Sequence, residues 1–112
     1  MSIHKKHLVL KISGVENVDL LKDAELLEHA LDGIIKALQM KIVGRVKHQF
    51  KPFGATMIYL LAESHCSAHT YWEEREVYLD LFYCSDFDER VAVQMFCNVF
   101  GSEQSDWQMI ER

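Results

Sequence analysis

The sequence predicts a single α+β domain (residues 1–112), a two-layer sandwich in which an antiparallel sheet has two helices on one face. Its 112 residues are enough for one such core and little more. Six apolar or alternating stretches predict strands, and two others repeat apolar residues at helical spacing. Because four of the strands follow one another without an intervening helix, we expect them to pair in an antiparallel manner.

The first half of the chain predicts a strand, a helix and a second strand. Residues 7–13 alternate between apolar and polar side chains, as in a strand with one buried face. Apolar residues then recur at helical spacing over residues 20–38, which predicts one amphipathic helix. Residues 40–50 predict the second strand, in which Gly44 indicates a bulge or a close backbone approach.

The second half predicts four more strands and one more helix. The predicted elements are a turn at 51–54, strands at 55–62, 67–72 and 77–84, a helix at 91–100, and an edge strand at 105–110. Asp86 is the predicted cap of the second helix, and Gly101 is its predicted end. One face of the sheet has no helix to cover it and has aromatic and apolar side chains, so we expect it to be buried in a homodimer.

Composition excludes several classes of protein. Hydrophobic residues make up 49% of the chain, which is typical of a globular domain. No apolar run approaches the roughly 18 to 20 residues that span a bilayer, and the N-terminal run is too short for a signal peptide. A net charge of −5 without a basic stripe argues against nucleic acid. Three cysteines without a C-x-x-C pair argue against a disulfide framework, so we predict a cytoplasmic protein that does not bind a membrane.

Titratable residues are concentrated in the stretch LAESHCSAHTYWEE, residues 61–74. His65, Cys66 and His69 have the types of side chain that bind zinc. However, enzymes that use the H-x-x-x-H spacing place it on a helix, and this stretch has the composition of a strand. We therefore expect no metal here.

Two other interpretations of this stretch remain open on spacing alone. In the first, these are ordinary strand residues, and the cysteines are small apolar side chains. In the second, Ser64 is a nucleophile and His69 is its base. Side chains five positions apart in one strand point to opposite faces, so the second interpretation requires a kink between Ser64 and Cys66.

A specific resemblance favours the second interpretation. LLAESHCSAHTYWE closely resembles the signature of the prokaryotic S-adenosylmethionine decarboxylase proenzymes, which runs approximately L-L-x-E-S-H-x-S-x-H-T-W-P-E. The similarity extends back through Gly54-Ala55-Thr56 to Phe50 and forward to LDLFYC, residues 79–84, so it covers most of the chain. The order of elements and the chain length also match this family.

The resemblance implies that the chain cleaves itself between Glu63 and Ser64, giving fragments 1–63 and 64–112. The Ser64 hydroxyl would attack the Glu63 carbonyl carbon and convert the amide to an ester, which needs strain and an oxyanion donor. Removal of the Ser64 α-proton then eliminates the ester, and the dehydroalanine left behind hydrolyses to a pyruvoyl group and ammonia. His69 matches the histidine of the family that transfers this proton.

The same resemblance implies the cofactor and the binding residues. The pyruvoyl group made from Ser64 would replace pyridoxal phosphate by forming a Schiff base with the substrate amine, and neither a metal nor pyridoxal phosphate is expected. Cys84 matches the proton donor to the α-carbon. Phe50 matches the ring on which adenine stacks, Glu73 the carboxylate that binds the ribose hydroxyls, and Thr56 a hydroxyl residue that assists processing.

The substrate implied is S-adenosylmethionine, whose decarboxylated product is the aminopropyl donor for spermidine, and the active site is expected near a homodimer interface. The chain departs from the family pattern at Tyr71-Trp72, where tryptophan and proline are usual, and also at Cys66 and Ser85. Because these changes alter the wall near Glu73, two alternatives remain. One is a pyruvoyl-dependent decarboxylase of arginine or ornithine, and the other is a homologue that binds a ligand or regulates a partner without processing.

Overall fold

One six-stranded sheet dominates the computed structural model, which describes residues 5–112. The strands are β1 (Lys6–Ser13), β2 (Ile42–Gln49), β3 (Ala55–Leu61), β4 (Ser64–Tyr71), β5 (Glu76–Tyr83) and β6 (Gln104–Glu111). The helices are α1 (Asp19–Lys22), α2 (Ala24–Ala37) and α3 (Glu89–Phe100), and a 3-10 turn (Trp72–Glu74) precedes β5. All neighbours in the order β2-β3-β4-β5-β1-β6 are antiparallel. The predicted α+β sandwich is confirmed, with the short α1 as an addition.

The core lies between the sheet and the helices, because side chains alternate along each strand. In β1, Leu8, Leu10 and Ile12 face the helices and are at most 5% exposed. The matching stripe on α2 consists of Ala24, Leu27, Leu31, Ile34 and Ile35. Burying a large aliphatic side chain contributes about 1.5–3 kcal/mol relative to leaving it exposed, so this layer holds the helices on one face of the sheet.

The helix predicted over residues 20–38 is interrupted at Asp23, which ends α1 and begins α2. Asp23 has an extended backbone, with φ −117° and ψ 118°. Its Oδ1 accepts hydrogen bonds from the backbone N–H of Glu25 at 2.8 Å and of Leu26 at 3.2 Å. Such a cap is worth about 0.5–2 kcal/mol, so the prediction of one unbroken helix is wrong. The cap of α3 is likewise Asp88, not the predicted Asp86.

The helices are shorter than the thickness of a membrane requires. α2 has 14 residues and α3 has 12, whereas a membrane-spanning helix needs about 20 mostly apolar residues. Among the described residues, no helix is therefore long and apolar enough to cross a bilayer.

The strands agree with the predicted bulge at Gly44, but one strand begins earlier than predicted. The register between β2 and β3 changes between Ile42 and Gly44, which confirms the predicted bulge. β6 is an edge strand, as predicted. β4 begins at Ser64 and not at Ser67, because it pairs with β3 immediately after a tight hairpin.

The face of the sheet opposite the helices is left uncovered by α1, α2 and α3, and we call it the open face. Its central side chains are those of Val46, Thr56, Ile58, Leu60, His65, Ser67, His69, Tyr78, Asp80 and Phe82. Val46, Ile58 and Leu60 are exposed to 70%, 47% and 58%. Contiguous apolar exposure of this kind is typical of an interaction surface.

Candidate active site

The Glu63–Ser64 bond lies in the hairpin between β3 and β4. Leu61 pairs with Ser64, so Ala62 and Glu63 alone make the turn. Glu63 has a φ of 60°, in the left-handed region that a residue with a Cβ atom rarely adopts. This conformation costs about 1–3 kcal/mol, and the paired strands on both sides hold it in place. Backbone strain is therefore present next to the peptide bond at which the resemblance predicts cleavage.

Ser64 is the first residue of β4 and points to the same face as the buried Cys66. β4 runs without interruption from Ser64 to Tyr71, so the kink that Ser64 and His69 of one chain would need in order to meet is absent. Five strand residues correspond to about 17 Å, and the two side chains point to opposite faces. His69 therefore cannot act on Ser64 of its own chain in this arrangement.

Cys84 lies at the same end of the sheet as the Glu63–Ser64 bond. β4 and β5 pair with His65 opposite Phe82, and this register places Ser64 opposite Tyr83. Cys84 follows one residue beyond the end of β5 and is a partly buried free thiol. We call Glu63, Ser64 and Cys84 the cleavage end.

The other four predicted site residues, Phe50, Thr56, His69 and Glu73, surround one cavity of about 320 Å³ at the opposite end of β4. Thr56 and His69 face each other on β3 and β4, with Thr56 Oγ1 at 3.2 Å from His69 Nδ1. This contact fixes the orientation of the imidazole ring. The volume is within the range of about 300–1,000 Å³ that is usual for small-molecule sites, and we call this region the pocket end.

Aromatic rings form the wall of the pocket end. The Phe50 ring is 46% exposed and packs edge-on against His48, with centroids 4.6 Å apart. Phe53 and Trp72 meet at 5.3 Å. Lys22 Nζ lies 4.8 Å from the centroid of Phe53 and 5.1 Å from that of Trp72. Trp72, one of the departures from the family pattern, is therefore part of this wall, beside Glu73.

The alternative of a metal site made by His65, Cys66 and His69 is excluded by the register of β4. Cys66 is fully buried on the helix side, and this burial raises the pKa of its thiol to about 12. His65 and His69 lie on the open face but four positions apart, which corresponds to about 13 Å along a strand. These three side chains cannot bind one ion.

Sequence reasoning missed a polar cluster made by His7, His65, Ser67 and Asp80. His7 Nε2 lies 2.7 Å and His65 Nε2 3.3 Å from Asp80 Oδ2, and the Ser67 hydroxyl donates to Asp80 Oδ1. Burial disfavours ionisation of Asp80, but hydrogen bonds from Ser67, His7 and His65 outweigh it and hold the pKa of this carboxyl below its ordinary value. Only the pairing of β1 with β5 brings His7 here, and no local sequence signal indicates it.

Comparisons with known proteins identify the family of the chain. A model of the family described as S-adenosylmethionine decarboxylase matches residues 6–112. An S-adenosylmethionine decarboxylase proenzyme of Archaeoglobus fulgidus is 32% identical over 108 residues, which cover 96% of this chain and 96% of that protein. A proenzyme of the same description from Hydrogenobaculum sp. is 39% identical over 80 residues, or 71% of this chain and 59% of that one.

The fold comparison covers the whole chain. The crystal structure of the adenosylmethionine decarboxylase from Aquifex aeolicus VF5 superposes with a TM-score of 0.87 at 26% identity, over 100% of this chain and 92% of that one. The resemblance found in the stretch around Ser64 thus extends to the sequence as a whole and to the order of its strands and helices. The chain belongs to the S-adenosylmethionine decarboxylase family, as its sequence predicts.

Proposed function

We propose that this chain is a proenzyme that cuts itself between Glu63 and Ser64 and then decarboxylates S-adenosylmethionine with a pyruvoyl group made from Ser64. The observation that supports it most directly is the left-handed backbone at Glu63, in a hairpin of a family member. Conversion of the amide to an ester releases this strain as the bond breaks. The two products would be fragments 1–63 and 64–112.

The residues at the cleavage end fit this group. Within residues 5–112, the Ser64 hydroxyl makes no hydrogen bond, so it is available for attack on the Glu63 carbonyl carbon. Once formed, the pyruvoyl group would supply an electron sink for the electron pair that remains when the substrate loses carbon dioxide. Cys84 lies at the same end of the sheet and would serve as the proton donor to the α-carbon. A positioned acid of this kind contributes roughly 10²- to 10⁴-fold to the rate.

The pocket end fits a nucleoside substrate better than a plain amino acid. Phe50 presents an exposed ring for stacking with adenine, and the carboxylate of Glu73 at the same cavity can accept hydrogen bonds from ribose hydroxyls. Arginine and ornithine lack both the purine ring and the ribose diol, although their cationic ends could also approach Glu73. We therefore propose S-adenosylmethionine as the substrate.

Because the cleavage end and the pocket end are about 17 Å apart in one chain, we propose that each active site is shared by two chains of a homodimer. In an isologous dimer, antiparallel packing of the two open faces brings the cleavage end of one chain to the pocket end of the other. Ile58 and Leu60 would be buried in this interface. His69 would then transfer the α-proton of Ser64 of the partner subunit.

An intact mass spectrum of the purified protein tests the cleavage. We expect two fragments divided between Glu63 and Ser64, with the second lighter by one ammonia than hydrolysis alone would give. The Ser64→Ala variant serves as the control and stays in one piece. A folded wild-type chain that remains uncut would refute the proposal and favour the non-processing homologue.

Substrate identity needs a separate assay. The processed protein is incubated with carboxyl-labelled S-adenosylmethionine, arginine or ornithine, and released carbon dioxide is counted. We expect release from S-adenosylmethionine, with Phe50→Ala raising its KM. Release from arginine or ornithine alone would assign the chain to the alternative decarboxylase while leaving the cleavage chemistry intact.

A further inference from the structure

Three ligand side chains meet on the open face where β1, β5 and β4 lie side by side. His7 and His65 are both opposite Phe82, one on each neighbouring strand, and Asp80 lies two residues away on the same face. His7 Nε2 and His65 Nε2 lie 2.7 Å and 3.3 Å from the same atom, Asp80 Oδ2. The three ligand atoms are all within 4.8 Å of one another.

We propose that His7, His65 and Asp80 bind one divalent transition-metal ion, with zinc as the best fit. Two imidazole nitrogens and one carboxylate oxygen suit zinc and cobalt, whereas magnesium prefers oxygen ligands alone. Three protein ligands leave one coordination position for water. The sequence predicts no metal, because the stretch that contains His65, Cys66 and His69 has the composition of a strand and not of a helix.

The surroundings of this cluster have the features of a prepared metal site. The Ser67 hydroxyl donates to Asp80 Oδ1, which orients the carboxylate and leaves Oδ2 directed at the histidines. The Phe82 ring packs against His7 and His65, with centroid distances of 5.9 Å and 5.8 Å. Outer contacts of this kind fix the ligand geometry before the ion arrives.

In the single chain, the cluster is accessible from the open face, which the proposed dimer would cover. The side chains of His7, His65 and Asp80 are 21%, 44% and 26% exposed. In the ion-free protein, each Nε2 that donates to Asp80 carries a proton. A metal-bound Nε2 carries no hydrogen, so a neutral ring would hold its proton on Nδ1, and binding would replace the two hydrogen bonds with coordination bonds.

The location suggests a structural role for the ion. His7 belongs to residues 1–63, and both His65 and Asp80 belong to residues 64–112, so the ion would join the two fragments of a cut chain. It would also fix the start of β4, since His65 directly follows Ser64. This structural role rests on the proposed cleavage. Binding of the ion does not, because none of its ligands is a residue with a proposed role in catalysis.

Metal binding can be measured directly on the tag-free protein in its solution oligomeric state. The protein is treated with a chelator, dialysed against zinc chloride at micromolar free zinc, and its bound zinc per chain is determined. We expect one zinc per chain, and visible absorption bands when cobalt chloride replaces zinc chloride. Less than one ion per chain, or a cobalt spectrum of the hydrated ion alone, would overturn the proposal.

Variants identify the ligands. His65→Gln and Asp80→Asn should lose the ion, and Ser67→Ala should bind it about 10- to 100-fold more weakly, as is usual for outer-shell changes. The exposed His29 on α2 is outside the cluster, so His29→Gln is the matched control and should bind as the wild type does. Unchanged binding by a folded His65→Gln protein would assign the ion to other groups. If that variant does not fold, zinc binding by His7→Gln and Ser67→Ala is compared with binding by the wild type in the same way.

Discussion

Two inactive variants should restore an active site when they share one dimer. Ser64→Ala removes the nucleophile from the cleavage end, and His69→Ala removes the base from the pocket end. Each variant alone should remain uncut. In a mixed dimer, however, Ser64 of the His69→Ala chain meets His69 of the Ser64→Ala chain, so one of the two shared sites is complete.

The expected yield follows from the two-fold symmetry. If equal amounts of both chains assort at random, about half of the dimers are mixed and each has one complete site, so activity should be about one quarter of the wild-type value. About half of the His69→Ala chains should be cut, and no Ser64→Ala chain should be. The separation of about 17 Å between Ser64 and His69 along β4 is the reason for expecting any rescue.

The assay uses co-expression, because processing has to occur in the dimer that forms as the chains fold. Intact mass distinguishes the two variants, and decarboxylation of labelled S-adenosylmethionine gives the activity. A Ser64→Ala/His69→Ala double variant co-expressed with wild type provides the matched control for assembly. If the single variants show no rescue although mixed dimers are present, the shared site is refuted.

Other expectations concern the side chains around these sites and in the core. Thr56→Val removes the hydrogen bond to His69 and should slow self-cleavage about 3- to 10-fold in a time course of fragment formation, whereas Thr56→Ser should not. Trp72→Leu opens the aromatic wall and should raise the KM for S-adenosylmethionine in steady-state assays while leaving the extent of cleavage unchanged, and an unchanged KM would remove Trp72 from the site. Tyr59 donates to Asp32 at 2.6 Å, and Tyr59→Phe should lower the free energy of unfolding in urea by about 1.5–3 kcal/mol. Burial opposes ionisation of Asp32, but hydrogen bonds from Arg45 and Tyr59 hold its pKa below the ordinary 3.8. Its stabilising effect is therefore present above pH 3.8 and is lost as the pH falls through the folded value. Urea unfolding at a series of acidic pH values should show a shallower loss for Asp32→Asn, and equal slopes would contradict this.

Local patterns predicted the strands well because each strand has one buried face. Alternation located β1 and β5 almost to the residue, and Gly44 correctly marked the bulge in β2. The break at Asp23 escaped prediction because apolar spacing continues from α1 into α2. A cap uses a single side chain and leaves the periodicity unchanged.

The site was harder to predict, because it depends on which strands are neighbours. The resemblance named Phe50, Thr56, His69 and Glu73 together with Ser64 and Cys84 as residues of one site, and in the structure the first four surround one cavity. The resemblance could not indicate that Ser64 and His69 lie far apart on β4. That separation depends on β4 running as one straight strand. The roles of all these residues in catalysis stay predictions. His7 and Asp80, 73 positions apart, meet only because β1 inserts beside β5.

The position of β1 also determines what holds a cut molecule together. Cleavage before β4 would leave β1, β2 and β3 in one piece and β4, β5 and β6 in the other. Because β1 lies between β5 and β6, the pieces are interleaved and separate only if β1 leaves both neighbours and β3 leaves β4. Neither piece alone retains a complete sheet. The precursor must therefore fold before it is cut, and a denatured mature protein can refold only through a second-order encounter of its two pieces.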